Sequence, residues 1–431
     1  MRWTPIIFAA FISIQGMAQP KTDVFLANIL AGNKDSVMTS ILKDPSTYRL
    51  QIIYTKIDRD RKNRPHFQNY YFNCDRSLYF NPASTVKLPL AALSLEKLDK
   101  LKHDGIAIDR TTSMLFDSNF VGQRIEWRDS TSETGLPSVG HFIKKALLVS
   151  DNDAYNRLYQ FLGQSTIQMK MIDKGYYETR ITRQFMGFTP EQNRHTNAIR
   201  FINGEGQLIW WQPPAYNPDT LRFPREIKLG KAHYNQEDSL VNEPIDFTMA
   251  NNLPLEDLHK MLRSIIFPGS LNNIERFKLT TEDYSFLLQY LSQFPSETNY
   301  PYYDSSVYYN SYVKFFFKDS SRNLPSGVRV FNKVGWAYGF ITDASYIVDF
   351  NHHVEYMLAA TLYVNSDGIL NDDHYDYDSI GYPFMHQLGN TIYKYELHRK
   401  RKYKPDLSEL RISYEYRDPA DKRKPIKEVD N

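Results

Sequence analysis

A chain of 431 residues is too long for a small single-core module and suits one large domain with insertions or two modest ones. Hydrophobic residues at 42% and charged residues at 24% are the proportions of an ordinary soluble globular protein. A formal net charge of +2 over that length excludes a strong electrostatic pull toward nucleic acid or anionic membrane, so neither is expected as a partner.

At the N-terminus, Arg2 precedes the apolar run "PIIFAAFISI" (5–14), and small Ala18 stands before a polar break. A charged start, a short apolar stretch and a small residue at the cut read as a secretory signal peptide over 1–18. The chain is therefore expected to cross the inner membrane and reside in the periplasm. The run is too short to span a bilayer, so no stable membrane insertion is expected after cleavage. Cys74 is the sole cysteine, which rules out an intramolecular disulfide; its strand-like surroundings make it buried filler.

Beyond the signal, "DVFLANILAGNKDSVMTSIL" has helical spacing. Residues 48–60 alternate and are β-branched, and "PHFQNYYFN" follows, which predicts a β-hairpin. Asn81-Pro82 stops the strand, and "STVKLPLAALSLEKLDKL" then carries apolar residues at helical intervals, with Pro89 close enough to the start to fit the first two turns. "SVGHFIKKALLVSDNDAYNRLYQFLG" reads as two helices joined across "SDN". Mixed helices and loops fill roughly 155–325, including Trp210-Trp211 and the ring-dense stretch 299–317. These rings pack an extra lobe or line a peptide or glycan groove. Strands return in "VRVFNKVG", "ITDASYIVDF" and "VEYMLAATLYV", then a last helix over 379–399 and, from about 401, a charged, Pro-broken tail expected to be mobile.

Strands at both ends and helices between them predict an α/β protein, an α+β sandwich. Its antiparallel sheet is built from N- and C-terminal strands and flanked by helices. The main domain spans 19–400, with a mainly helical lobe over about 99–325, an enlarged insert over about 203–325 and a tail over 401–431. A site would lie in the cleft between sheet and lobe.

Three polar clusters carry chemistry. Ser84 and Lys87, three apart on a helix, share a face near the helix N-terminus, where free N–H groups favour a developing anion. A lysine facing a core loses its proton, and a neutral amine beside a hydroxyl is a general base that makes the hydroxyl a nucleophile. Taken alone, so short a pattern ordinarily means a capping serine and a surface lysine. Two further clusters follow in order: Ser150-Asp151-Asn152 in the interhelix loop and Lys333-Val334-Gly335 on a strand. The set S-x-x-K, S-D-N, K-x-G resembles that of the penicillin-recognising serine hydrolases, and the class A β-lactamase branch most closely, over roughly 45–395.

The resemblance implies a β-lactamase/transpeptidase-like fold and a role for each residue. Ser84 would attack a strained or peptide carbonyl to form an acyl-enzyme, and Lys87 would take its proton. Ser150, assisted by Lys333, would relay a proton to the leaving nitrogen. Asn152 would hold the substrate amide, and the N–H groups of Ser84 and Trp336, just past Gly335, would form the oxyanion hole.

Two departures bear on the reaction. The middle residue of K-x-G is Thr or Ser in the family, its hydroxyl binding the substrate carboxylate, whereas Val334 has no donor. That removes a charge-assisted hydrogen bond of about 1.5–3 kcal/mol unless an arginine compensates. Class A enzymes also carry a glutamate after S-D-N that activates the hydrolytic water. Matching "TRITR" (179–183) to that loop puts Phe185 at its position, and matching "PEQN" (190–193) puts Thr189 there. Glu191 is the nearby carboxylate that a loop shift could bring in as deacylation base.

"NDDHYDYD" (371–378) lacks the spacing of an EF-hand and reads as a solvated turn. No metal or cofactor is expected. The expected function is an exported class A β-lactamase-like serine hydrolase acting through acyl-Ser84 on a β-lactam or related amide. The alternatives are a D-Ala-D-Ala carboxypeptidase or transpeptidase-like penicillin-binding protein acting on peptidoglycan peptides, and a binding protein that keeps the cleft without turnover. The partner is thus a small-molecule β-lactam or a peptidoglycan peptide; the sequence leaves the oligomeric state open.

Overall fold

The computed structural model describes residues 20–429, and the signal-peptide segment lies outside them. The first helical stretch forms two helices, α1 (Val24–Ala31) and α2 (Ser36–Lys43), the second capped by Asp35, whose carboxylate accepts the Met38 N–H at 3.0 Å. The expected hairpin is β1 (Gln51–Arg59) and β2 (Pro65–Phe72). A 3-10 turn (Ala83–Val86) leads into α3 (Lys87–His103). Pro89 does not kink α3, because at its third position the missing N–H would have had no partner.

The lobe holds β3 (Ser113–Asp117), α4 (Val139–Leu148), α5 (Asn152–Leu162), α6 (Gln164–Asp173), β4 (Ala198–Ile202) and β5 (Leu208–Gln212). The short pieces β6 (Lys228–Leu229), β7 (Ala232–Tyr234), β8 (Leu240–Val241) and β9 (Ile245–Asp246) precede α7 (Leu255–Ile266) and α8 (Thr281–Ser292). The chain closes with β10 (Val328–Ala337), β11 (Phe340–Asp349), β12 (Val354–Tyr363), β13 (Ile369–Leu370) and α9 (Tyr382–His398). None of the described helices is long and apolar enough to cross a membrane.

The main sheet is antiparallel and five-stranded, in the order β10-β11-β12-β1-β2, so both chain ends meet where β1 pairs with β12 (Ile53 opposite Ala359). Strand parity separates two cores. Ile53, Ile57, Phe331, Ala344 and Met357 face α3, α7 and the lobe, whereas Ile52, Tyr54, Val334, Ile341 and Leu358 face α9 and the first two helices. In β10, Lys333 and Gly335 share the parity of Phe331 and Val334 does not. That parity decides which of them reaches the cleft.

Two stretches differ from simple expectation. The lobe carries, beside its helices, a three-stranded sheet in the order β3-β4-β5, where Trp210 packs on Phe201 with ring centres 5.5 Å apart and Trp211 is exposed. The tail expected to be mobile is packed. Arg417 donates to the carbonyls of Pro295, Thr298 and Tyr303, Glu415 accepts from the Tyr290 hydroxyl at 2.6 Å, and Ile426 bridges to Tyr303. Its charges meet carbonyls and hydroxyls of the lobe, which composition alone does not reveal.

Candidate active site

Ser84 sits in the 3-10 turn before α3, and the chain reaches it through a strained step. Ala83 has φ of 43°, a region that costs an L-residue about 1–2 kcal/mol. Asn81 steadies the turn by accepting the Ala83 N–H at 2.9 Å, and the Pro82 carbonyl accepts from the Thr85 hydroxyl at 2.6 Å. Lys87 follows one turn later and is fully buried. Between α4 and α5, Asp151 caps α5 by accepting the Ala154 N–H at 2.8 Å and pairs with Lys145 at 3.5 Å. Ser150 beside it has φ of 68°, a second non-glycine residue in the left-handed region. Such strain persists only where surrounding structure holds it, and both instances flank Lys87.

The three clusters meet. The Lys87 amine lies 2.8 Å from the Ser84 hydroxyl, 2.6 Å from Asn152 Oδ1 and 3.3 Å from the Ser150 hydroxyl, and it also contacts the Ser150 carbonyl. Lys333 reaches in from β10, its amine 2.9 Å from the Ser150 hydroxyl and 2.8 Å from the Val334 carbonyl. Every acceptor in these bonds is a neutral oxygen. Burial therefore holds Lys87 well below the usual lysine range, and the charge of Lys333 pushes the same way against Asp151. Burial likewise brings Lys333 down to about 7, with Asp343 raising it and Lys314 lowering it.

Gly335 explains how β10 comes so close. A Cβ there would lie 2.6 Å from the Pro82 carbonyl oxygen and 2.9 Å from the Ser84 nitrogen, so only a glycine lets this edge strand abut the nucleophile turn. Trp336, the next residue, lines the pocket that contains Ser84, a cavity of about 500 Å³ bounded also by Asn152, Phe185 and Tyr338. Val334 is fully buried in the α9-side core and is not among the lining residues.

A further part of the pocket wall is the segment from Arg183 to Gly187. Phe185 stands there with its ring centre 5.3 Å from the Lys87 amine. It stacks on Tyr155 at 4.3 Å, and its N–H donates to Asn156 Oδ1 at 2.7 Å. Glu191 is not brought to the cluster: it is exposed, pairs with His195 at 3.2 Å and lines no part of this pocket. Cys74 is buried, and burial pushes its thiol up to about 12, which leaves it inert.

Sequence reasoning missed three contributors. Asn251 holds the wall in place by accepting the N–H groups of Thr182 at 2.8 Å and Arg183 at 3.1 Å. Behind Lys333, Lys314 donates to Asn332 Oδ1 at 2.7 Å, and Asn332 donates to Asp343 Oδ1 at 2.9 Å. Asn251 and Lys314 lie far along the chain from their partners, so no local spacing announces them. Asp343 did carry a signal, an acid at a core-facing position of an apolar strand.

A model of the beta-lactamase enzyme family matches residues 61–203, about a third of the chain, and the match takes in Ser84, Lys87, Ser150 and Asn152 but ends before Lys333. No curated protein sequence matches. Among solved structures, a beta-lactamase from Desulfarculus baarsii DSM 2075 is 14% identical, with a TM-score of 0.46 over 88% of this chain and 99% of that one. One from Burkholderia vietnamiensis is 12% identical, with a TM-score of 0.46 over 85% of this chain and 99% of that one. Over residues 61–203 the chain is thus similar to the beta-lactamase enzyme family. In this it resembles the penicillin-recognising serine hydrolases.

Proposed function

We propose that this protein is an exported acyl-transferring serine hydrolase of the class A β-lactamase type, in which Ser84 attacks the carbonyl of a β-lactam or related amide. One observation carries the reading: a buried amine, Lys87, lies 2.8 Å from the Ser84 hydroxyl and is bonded to neutral oxygens. In its neutral form, which burial favours, it accepts the hydroxyl proton as Ser84 adds to the carbonyl. Ser150, between the two amines, passes a proton to the departing nitrogen with Lys333 as its neighbour. The N–H groups of Ser84 and Trp336 hold the oxyanion.

Water attack on the acyl group is the slow step. The Phe185 ring faces Lys87 where a carboxylate base would serve, and Glu191 is turned toward His195. This favours a second reading with the same first step, a penicillin-binding protein that transfers or trims peptides ending in D-Ala-D-Ala. Export rests on the pattern of residues 1–18 and predicts a mature chain that starts after Ala18.

Incubation with a penicillin followed by intact and peptide mass spectrometry tests the proposal. An adduct on the Ser84 peptide, absent in Ser84→Ala and persisting over minutes to hours, is expected. An unmodified protein, or an adduct elsewhere, ends it. Rapid turnover of a chromogenic cephalosporin would favour the hydrolase over the peptide-processing reading, and D-alanine release from a D-Ala-D-Ala peptide the reverse.

A further inference from the structure

The cavity around Ser84 has an uneven charge. Arg183 is its one formally charged wall residue with unshared charge; no Asp or Glu lines it, and the other walls are amides, rings, small residues and a methionine. Arg183 is half-buried, and its backbone is clamped on both sides. Its N–H donates to Asn251 Oδ1 at 3.1 Å, and its carbonyl accepts from the Tyr155 hydroxyl at 2.8 Å. Among the described residues, its guanidinium makes no hydrogen bond and no ion pair. Neighbouring arginines are engaged: Arg49 donates to the Tyr79 carbonyl at 2.8 Å, and Arg194 to the Asn217 carbonyl at 2.7 Å.

A fixed backbone with an unengaged fork of donors suits a planar anion. The cavity needs such help, because Val334 carries no hydroxyl and lies in the α9-side core, which leaves β10 no donor from that position. We infer that Arg183 is a specificity residue that holds a carboxylate of the substrate in the cavity that contains Ser84, so that anion recognition passes from the K-x-G strand to the 183–187 segment. The inference deepens the acylation reading above and rests on it for the identity of the ligand.

Penicillin binding to Ser84→Ala protein, which cannot be acylated, tests it through the fluorescence of Trp336 in the pocket wall. The free acid is expected to bind about tenfold to a hundredfold more tightly than its methyl ester. Arg183→Gln in the same background should erase that preference, and Arg183→Lys should keep part of it. Acid and ester binding alike in the Ser84→Ala protein, or an acid preference that survives Arg183→Gln, overturns the inference. The two readings fail separately. Wild-type protein acylated on Ser84 without an Arg183-dependent acid preference sinks Arg183 alone. Wild-type protein never acylated, with the preference intact in the Ser84→Ala background, sinks the reaction and keeps the anion site.

Discussion

The main sheet carries buried charge in two opposite ways, in paired clusters and in an unpaired one around the nucleophile turn. On the α9 side, Glu396 is fully buried but hydrogen-bonded by Arg399 at 2.5 Å, by Arg401 and by the Tyr54 hydroxyl. On the α3 side, Arg59 of β1 grips Glu355 of β12 with two bonds, at 2.5 and 2.7 Å. Around the nucleophile turn, Lys87 and Lys333 are as deeply buried, and among the described residues no carboxylate lies within hydrogen-bond reach of either. Paired burial ties elements together. Unpaired burial strips protons and prepares a base. The difference separates a structural use of buried polarity from a chemical one.

Lys87→Met breaks this contrast most sharply. Methionine fills the same channel without an amine. The rate of adduct formation with penicillin is expected to fall about 10³-fold, within the range of a lost general base. The same variant should gain about 1–3 kcal/mol in urea unfolding at neutral pH, because the folded state no longer has to strip a proton that the unfolded chain keeps. A variant both slower and less stable would mean that Lys87 works as a structural strut.

The paired cluster gives the opposite result. Glu396→Leu leaves Arg401, Tyr54 and part of Arg399 without their shared acceptor. It should lower stability by about 3–5 kcal/mol while the acylation rate of the folded fraction stays as in wild type. Equal effects on both quantities would show the two clusters to be coupled.

How much of this was legible beforehand follows the range of the interactions. Ser84, Lys87, Ser150, Asn152 and Lys333 were readable because each sits in a short motif whose local setting is itself predictable: a helix start, an interhelix loop, a strand. The sheet was readable because its strands alternate and lie at the chain ends. The wall was not. Whether Phe185 or Thr189 faces Lys87 depended on how a loop threads, and that is set by Asn156 and Asn251 from two other segments and by Asn193 within the loop itself. The tail was misjudged for the same reason, since Arg417 finds its carbonyl partners more than a hundred residues away.

Gly335→Ala tests the narrowest contact between sheet and nucleophile turn. Its methyl group would press on backbone atoms of Pro82, Ser84 and Thr85 at 2.6–2.9 Å, and backbone yields less readily than a side-chain tip. A loss of about 1–3 kcal/mol is expected, with acylation slowed about tenfold as the turn moves off β10. Unchanged acylation would show that the turn does not need β10 against it.

The finest test concerns Asp343, a buried carboxylate whose charge raises Lys333 through space. Burial pushes Asp343 up to about 6, so it is ionised above that pH and neutral below it. Lys333, near 7, is charged below its own value and neutral above it. If proton relay through Ser150 uses the charged form, acylation falls as pH rises through about 7. In Asp343→Asn the supporting charge is gone, Lys333 gives up its proton earlier, and the descending limb should move to lower pH by about one unit or less. Because wild-type Asp343 is itself uncharged below about 6, the two pH profiles should converge there and separate above it. A uniform drop at every pH would assign Asp343 to packing, since a lost contact has no reason to respect that boundary.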